Sequence, residues 1–285
     1  MECEILFLGF GPITKAFAKR LIANGHKVAV VSEQSIEEKT GSEFLSDSFT
    51  IMNWQTAIAQ QIISESTYIG WRQSPQSLPL GEDLIDWVRS AKMETRRIHH
   101  LSSASVYTGA KEIFSESDDD LHLAKVDMNA KQNLEKLVRE IGREKQTGFV
   151  NYRIANVYGA GLKQGFINES IHNLVNDRPI KIFKQVDLVR DYLSVNDLMK
   201  ALIELRRYEF PNEILNISTG LGVAVSEIIE LLKVSNTKEL TFIEIEVPKE
   251  TLVRSILSCE KLKELILWSP IRVEESLKGP VLELL

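Results

Sequence analysis

Two glycines near the start of the chain have the spacing of a turn that can hold a phosphorylated ligand. Gly9 and Gly11 follow a short apolar run, and a helical pattern opens directly after them. The first glycine permits a sharp turn, the second lets the backbone approach a ligand closely, and the free N–H groups of the helix face a diphosphate. The same pattern also occurs in turns that bind nothing, so the rest of the chain decides between the two interpretations.

The residues after the second glycine fit this turn with one departure. Thr14 occupies the third position of the usual G-x-G-x-x-G pattern, where side-chain size governs how closely helix and strand pack. Pro12 falls in the first helical turn, where a missing N–H costs little, and Ile13 opens the apolar helix face. The candidate nucleotide-binding residues of this segment are Gly9, Gly11, Pro12, Ile13 and Thr14.

Ser32 and Glu33 bear on which nucleotide would bind. They end the next apolar strand, at the position that faces the adenosine ribose in dinucleotide-binding folds. An acid there favours NAD, whereas a small residue leaves room for the 2′-phosphate of NADP. The pattern does not fix the last residue of the strand, so NAD and NADP both stay open.

Composition excludes several other classes of protein. The 285 residues include 34 Lys and Arg against 40 Asp and Glu, and a net charge of −6 argues against broad binding to nucleic acids or anionic membranes. Cys3 and Cys259 lie in no metal-ligand spacing, so no metal site is expected. No apolar run approaches the length of a membrane span and no basic leader precedes the first strand, so we expect a cytoplasmic protein.

Strands and helices alternate along the chain, which predicts an α/β fold with a doubly wound parallel sheet. We expect a dinucleotide-binding domain over residues 1–160, to which 188–217 returns, and a smaller, interleaved substrate-binding lobe over 161–285. The predicted strands include 4–8, 27–33, 49–53, 67–70, 97–101, 147–153, 180–183, 188–193, 214–217 and 240–245. The predicted helices include 56–63, 83–93, 123–145, 166–175, 195–206, 226–232, 260–265 and 273–284.

Five segments, in order along the chain, resemble the extended short-chain dehydrogenases/reductases, the group of nucleotide-sugar epimerases, dehydratases and reductases typified by UDP-glucose 4-epimerase. The segments are GFGPIT (9–14), LSSASVY (101–107), RIANVYGAG (153–161), RDYLSVNDL (190–198) and NISTG (216–220). The resemblance implies a Rossmann-type fold, NAD or NADP as cofactor and a nucleotide sugar as substrate. It also implies a homodimer formed through helices 83–93 and 123–145.

The resemblance also implies roles for individual residues. Ser103 would hydrogen-bond the substrate oxygen that gains or loses a proton, unless it is only a polar residue at a strand end. Asn156 belongs to the loop that leads to the substrate lobe. Arg190 and Arg254 resemble arginines that bind the diphosphate of the substrate nucleotide.

Arg190 has an alternative role that the residues alone leave open. Asp187 and Asp191 flank it in the sequence, and an ion pair with either carboxylate would occupy its guanidinium instead.

The family's Tyr-x-x-x-Lys pair is incomplete in this chain. In that pair the tyrosinate takes a proton from a substrate hydroxyl, and the lysine lowers the tyrosine pKa and holds the cofactor ribose. The long helix contains no tyrosine. Alignment on residues 133–137 places Lys131 at the lysine and Asp127 at the tyrosine, whereas another register would use Lys125 and Leu121.

Asp127 is a poor substitute for a tyrosine. Its reference pKa of about 4 lies roughly six units below that of tyrosine, a loss of some 8 kcal/mol of proton affinity. Its side chain is also shorter. Tyr107 and Tyr158 are nearby candidates for the missing role, although both positions are usually packing residues in this fold.

A second departure follows the strand at 67–70. The family has small residues there, but this chain has Trp71, Arg72 and Gln73. Arg72 can bind a cofactor phosphate, whereas Trp71 can crowd the pocket, and the loop can also point elsewhere. Two hypotheses result: an NAD(P)-dependent sugar-modifying enzyme with an unusual proton carrier, or a catalytically silent dinucleotide- or sugar-nucleotide-binding sensor or partner subunit.

Overall fold

The computed structural model describes residues 1–32, 44, 46–70, 82–118, 130–209, 212–235, 240–247 and 251–278. Its strands are β1 (Glu2–Leu8), β2 (Val28–Ser32), β3 (Phe49–Asn53), β4 (Ile62–Ile69), β5 (Met93–Ser103), β6 (Gly148–Ile154), β7 (Asn156–Tyr158), β8 (Ile180–Phe183), β9 (Val189–Arg190), β10 (Tyr192–Ser194), β11 (Glu213–Ile217), β12 (Val223–Ala224), β13 (Phe242–Ile245) and β14 (Arg254–Ser255). Its helices are α1 (Pro12–Ala23), α2 (Trp54–Ile58), α3 (Glu82–Arg89), α4 (Ala130–Glu144), α5 (Phe166–Val175), α6 (Val195–Leu205), α7 (Val225–Val234), α8 (Glu260–Leu265) and α9 (Val273–Ser276).

Seven strands form one sheet in the order β11-β6-β5-β4-β1-β2-β3. The pairs β1·β2, β1·β4, β2·β3 and β4·β5 are parallel. The strand order reverses beside β1, because the chain moves from β1 to β3 on one side and returns to β4 on the other. This arrangement confirms the predicted α/β fold with a doubly wound parallel sheet. In such sheets ligands bind beyond the carboxyl ends of the strands at the point of reversal, which here lies between β1 and β4.

The chain divides into two compact units. The first contains residues 1–102, 123–152 and 206–214, and the second contains 103–122, 153–205 and 215–285. An apolar cluster in the first unit packs β1, β2 and β5 against α3 and α4, and a cluster in the second includes residues of α5, α7 and α9. The predicted assignment of a dinucleotide-binding domain and a substrate-binding lobe stays a prediction.

Two predicted helices end earlier than expected because β4 and β5 are long strands. The helix predicted over 56–63 ends at Ile58, and the one predicted over 83–93 ends at Arg89. Ile62 and Met93 are fully buried and pair with each other at the start of β4 and β5. Buried and exposed residues alternate from Ile62 to Ser66, which is the period of a strand rather than a helix.

Two further boundaries differ from the prediction. The strand predicted over 188–193 is interrupted at Asp191, which separates β9 from β10. The last predicted helix, over 273–284, ends at Ser276, and residues 279–285 lie outside the described part of the chain. Among the described residues, no helix has the length and apolar character needed to cross a membrane.

Candidate active site

The Gly9–Gly11 turn lies between the end of β1 and the start of α1. Gly9 has a φ of 97°, a conformation that favours glycine. The N–H of Gly9 donates to Val31 O at 2.8 Å, and the N–H of Gly70 donates to Leu8 O at 2.9 Å. The turn is therefore held from both neighbouring strands, at the point where the strand order reverses.

Gly11 is not required by its own backbone conformation. Its φ of −79° and ψ of 176° are extended values that any residue adopts. Gly11 is the N-cap of α1 and has no side chain with which to cap the helix, and Pro12 follows it at the first helical position. A missing side chain beside uncapped N–H groups suits the close approach of an anion. The candidate dinucleotide residues Gly9, Gly11, Pro12, Ile13 and Thr14 thus form one turn and the first turn of α1.

Thr14 fits at the third glycine position because Gly70 makes room for it. Thr14 is buried, and its hydroxyl donates to Gly11 O at 2.9 Å. A Cβ built on Gly70 would lie 2.4 Å from Thr14 Cγ2. The usual pattern has a glycine at position 14, with no side chain. Here the Thr14 side chain fits because Gly70, directly after β4, has none. Sequence reasoning missed this compensation because it depends on which strand lies beside β1.

Phe10 anchors the turn between the two glycines. Its ring is buried and lies 5.4 Å from the ring of Phe44 and 6.1 Å from that of Phe49, measured between centroids. The large apolar side chain between the two glycines therefore faces the interior of the protein. The signal for this role in the sequence was only that Phe10 is apolar.

Of the two residues expected to discriminate NAD from NADP, the structure describes Ser32 and not Glu33. Ser32 is the last residue of β2, is buried and pairs with Asn53 of β3. Glu33, Trp71 and Arg72 lie outside the described residues. The choice between NAD and NADP stays open.

Ser102 and Ser103, at the end of β5, have different surroundings. Ser103 is half-buried, and its hydroxyl accepts the N–H of Ser105 at 3.3 Å, which caps a short 3-10 helix at Ala104–Val106. Ser102 is buried, and its hydroxyl donates to Glu135 Oε1 of α4 at 2.5 Å. Ser103 therefore has the more accessible hydroxyl.

Lys131 lies in the first turn of α4 with an exposed side chain. Asp127, and the alternative pair Lys125 and Leu121, lie outside the described residues. The predicted proton carrier therefore stays a prediction.

Arg190 does not form the alternative ion pair with Asp187 or Asp191. Its guanidinium donates to the carbonyl oxygens of Val189, Val253 and Leu252 at 2.8, 3.1 and 2.7 Å. These bonds use three of the five N–H donors of an arginine. Among the described residues, the other two N–H donors of this half-buried side chain have no hydrogen-bond partner.

Arg254 and Arg190 lie on neighbouring strands but on opposite faces. The register of β14 and β9 pairs Arg254 with Val189 and Ser255 with Arg190. Because successive side chains of a strand point to opposite faces, the Arg254 side chain leaves the sheet away from that of Arg190. The structure does not bring these two predicted diphosphate ligands together.

Asn156 is held by the residue that follows Arg190. Its backbone N–H and its Nδ2 both donate to Asp191 O, at 3.0 and 3.1 Å. The Asp191 carboxylate, fully buried, accepts the N–H groups of Thr219 and Gly220, each at 3.0 Å. Burial raises the pKa of Asp191 to about 6. Asp191 thus joins three of the segments on which the family resemblance rests, 153–161, 190–198 and 216–220.

Comparison with known proteins decides the family. A profile of the NAD dependent epimerase/dehydratase family matches residues 75–218, which is half of the chain. The chain belongs to this family. The matched range includes β5, with Ser102 and Ser103, as well as α4 and the Arg190–Tyr192 segment.

Relatives in curated collections match a shorter part of the chain. The chain is 31% identical over 143 residues to dTDP-4-dehydro-6-deoxyglucose reductase of Escherichia coli. This match covers 48% of the chain and 45% of the reductase. The chain thus spans less than half the length of the curated relatives that it matches.

Several solved structures share the fold over nearly their whole length. A UDP-glucuronic acid 4-epimerase of Bacillus cereus, solved with UDP-glucuronic acid and NAD, superposes with a TM-score of 0.77 at 16% identity, covering 100% of this chain and 99% of that chain. A UDP-glucose 4-epimerase of Thermotoga maritima, solved with UDP-glucose, superposes with a TM-score of 0.76 at 21% identity, covering 99% and 98%. These similarities confirm the Rossmann-type α/β fold.

Tyr107 and Tyr158, the two tyrosines named above as candidates for proton transfer, are packed in the interior. The Tyr107 hydroxyl donates to Asn216 Oδ1 at 2.7 Å, and the Arg153 guanidinium lies 4.5 Å from the centroid of its ring. Burial raises the pKa of Tyr107 to about 12 and also raises the pKa of Tyr158. Both shifts disfavour the tyrosinate, so neither side chain suits the role of general base.

Proposed function

We propose that this member of the epimerase/dehydratase family is an NAD- or NADP-dependent epimerase, dehydratase or reductase that acts on a nucleotide-linked sugar. The observation that carries the proposal is the Gly9–Gly11 turn at the reversal point of the sheet. Gly9 is demanded by its positive φ, and Gly11, the N-cap of α1, places no side chain between a ligand and the N–H groups that open the helix.

The substrate class is supported by the named relatives. The curated relative from Escherichia coli acts on a dTDP-linked sugar by its name, and the two solved structures are UDP-sugar epimerases. Their substrates share a nucleoside diphosphate joined to a hexose. We infer the same class for this chain and leave the nucleotide and the sugar to experiment.

The residues fit a nicotinamide dinucleotide. The uncapped N–H groups at the start of α1 would hold the diphosphate, with the turn kept in place by Phe10. Lys131, with its exposed side chain, would hold the ribose. When bound, the nicotinamide supplies hydride transfer at a sugar carbon.

The substrate side of the proposal rests on Ser103 and Arg190. Ser103 would donate its hydroxyl to the substrate oxygen whose proton moves. The two remaining N–H donors of Arg190 would bind a phosphate oxygen, while the other three hold the 252–253 backbone.

The proton carrier in this proposal is Asp127. An aspartate is largely ionised at neutral pH and is a far weaker base than tyrosinate, so we expect slow turnover that increases towards low pH when the group acts as an acid.

Isotope transfer tests the proposed activity. The protein would be incubated with NADH or NADPH deuterated at C4 and a panel of UDP-, dTDP- and GDP-linked keto sugars, and the products would be weighed by mass spectrometry. We expect deuterium in one sugar and at least a tenfold loss in Ser103→Ala. Absence of transfer to every keto sugar would contradict a reductase, and absence of any epimer or dehydrated product from the corresponding hexoses incubated with NAD or NADP would contradict the other two activities.

The second candidate is a catalytically silent protein that binds a dinucleotide or sugar nucleotide as a sensor or partner subunit. The burial of Tyr107 and Tyr158 favours it, because neither supplies the missing base. Under this hypothesis Asp127→Tyr retains dinucleotide binding and creates measurable transfer in the same assay. If Asp127→Tyr lowers an existing activity instead, the silent hypothesis is wrong.

A further inference from the structure

We propose that the hydrogen bond between Ser102 and Glu135 positions the side chain of Lys131 for nucleotide binding. This inference rests on the proposed function. The Ser102 hydroxyl donates to Glu135 Oε1 at 2.5 Å, the short distance expected when a hydroxyl meets a carboxylate. Ser102 is 8% exposed and Glu135 is fully buried, so water does not compete for either group.

The bond joins the two elements that carry the candidate site residues. Ser102 immediately precedes Ser103 in β5, and Glu135 follows Lys131 by four residues in α4. Residues four apart on a helix lie on the same side, one turn from each other. The bond therefore fixes the end of β5 to the first turns of α4, beside the lysine.

Packing alone does not account for a carboxylate at position 135. Leu134 and Val138 of α4 belong to the apolar cluster of the first unit. An apolar side chain at 135 would bury the same volume without the desolvation of a carboxyl group. His100 of β5 is the titratable side chain near Glu135. Its Nδ1 forms a hydrogen bond with Asn151 Oδ1 at 2.8 Å, and burial lowers its pKa. His100 is therefore neutral and does not offset the carboxylate by charge.

A double-mutant cycle on cofactor affinity separates positioning from mere stability. The dissociation constants of NAD, NADH, NADP and NADPH would be measured by calorimetry for wild type, Ser102→Ala, Lys131→Ala and the double variant. We expect Ser102→Ala to weaken the best dinucleotide about tenfold, or about 1.4 kcal/mol. In the Lys131→Ala background the same change should weaken it less than about twofold, because the side chain that it positions is gone.

Three further variants guard against a trivial loss of folding. Glu135→Gln keeps an oxygen that accepts the Ser102 hydroxyl and should stay within about threefold of wild type, whereas Glu135→Leu should resemble Ser102→Ala. Ser194→Ala is the matched control, because it removes the hydroxyl of another buried serine–carboxylate pair, Ser194 Oγ to Asp197 Oδ2 at 2.8 Å. It should lower the unfolding temperature without changing affinity.

The outcomes distinguish this inference from the proposed function. Equal effects of Ser102→Ala in both backgrounds, or no effect in either, would overturn the positioning role while leaving the proposed function intact. Loss of affinity in Ser194→Ala as large as in Ser102→Ala would also overturn it. If wild type binds none of the four dinucleotides, the proposed function fails and the positioning role fails with it.

Discussion

At the scale of single residues, position 70 needs a glycine because the methyl group of Thr14 fills the space of a side chain. A Cβ on residue 70 would lie 2.4 Å from Thr14 Cγ2. We expect Gly70→Ala to lower the free energy of unfolding by about 1–3 kcal/mol, as overpacking usually does. Urea unfolding measures this change.

The control for that prediction removes the other partner. Thr14→Ala takes away the methyl group that causes the clash. Gly70→Ala should therefore lower the free energy of unfolding much less in the Thr14→Ala background than in wild type. Strictly additive losses would show that the two positions do not compete for space.

The buried carboxyl group of Asp191 should make the stability of the protein depend on pH. Its pKa in the folded protein is about 6, above the unfolded value of about 3.9, because burial disfavours the charged form. A raised carboxyl pKa contributes stability that is fully present below the unfolded pKa and is lost as pH rises through the folded one. The stability of wild type relative to Asp191→Asn should therefore fall from about pH 4 to about pH 7.

Urea unfolding of both proteins across that range measures the difference. The amide of Asp191→Asn does not titrate, so this variant provides the baseline. The hydrogen bonds to Thr219 and Gly220 that the variant loses change its stability by the same amount at every pH. A difference that is flat, or that rises with pH, would show that the Asp191 carboxyl is not the buried group described here.

At the scale of elements, α4 approaches β6 closely through Gly142. Replacing a helical glycine by alanine usually stabilises a helix by about 1 kcal/mol. Here a Cβ would lie 2.4 Å from Phe149 Cδ1 of β6, and the ring is buried. We expect Gly142→Ala to destabilise the protein by about 1–3 kcal/mol in thermal or urea unfolding, against its helix propensity.

The same experiment has an internal check. Phe149→Ala removes the ring atoms that meet the new methyl group, so Gly142→Ala should be far less harmful in that background. A stabilising effect of Gly142→Ala in wild type would mean that α4 does not pack on β6 as the structure has it.

The bounds of some helices and strands could be predicted from local sequence patterns, whereas others depend on contacts with distant parts of the chain. Helix α5 and strand β8 were predicted with their observed bounds because turn residues enclose a clear apolar period. The start of β4 was read as helix, since Ile62 and Ile63 suit either element and only pairing with β1 and β5 decides. Asp191 interrupts a strand because its carboxylate binds a distant turn, which no local pattern reveals.

In the candidate site, the glycine turn could be predicted from the sequence, whereas the role of Glu135 could not. The Gly9–Gly11 turn carries a local signature, and the structure places it at the reversal point of the sheet. Glu135 carries none, because a glutamate four residues after Lys131 usually indicates an exposed ion pair on a helix. Only the packing of α4 against β5 shows that it is buried beside Ser102.

At the scale of the whole molecule, the family resemblance predicts a homodimer formed through α3 and α4. Sedimentation velocity should give a species of twice the 32.3 kDa chain. Asp86→Lys, a charge reversal at an exposed position of α3, should shift it towards the monomer, whereas Glu264→Lys on α8 should not. A monomer at all concentrations, or equal effects of the two reversals, would contradict this interface.

The most direct test of the account is calorimetric titration of wild type and Gly11→Val with NAD, NADH, NADP and NADPH. Valine tolerates the extended backbone of position 11, so the variant should fold, which its thermal unfolding would verify. We expect wild type to bind one oxidised and reduced pair, and folded Gly11→Val to bind that pair at least tenfold more weakly. No binding by wild type, or equal binding by the variant, would contradict the claim that the Gly9–Gly11 turn holds a dinucleotide.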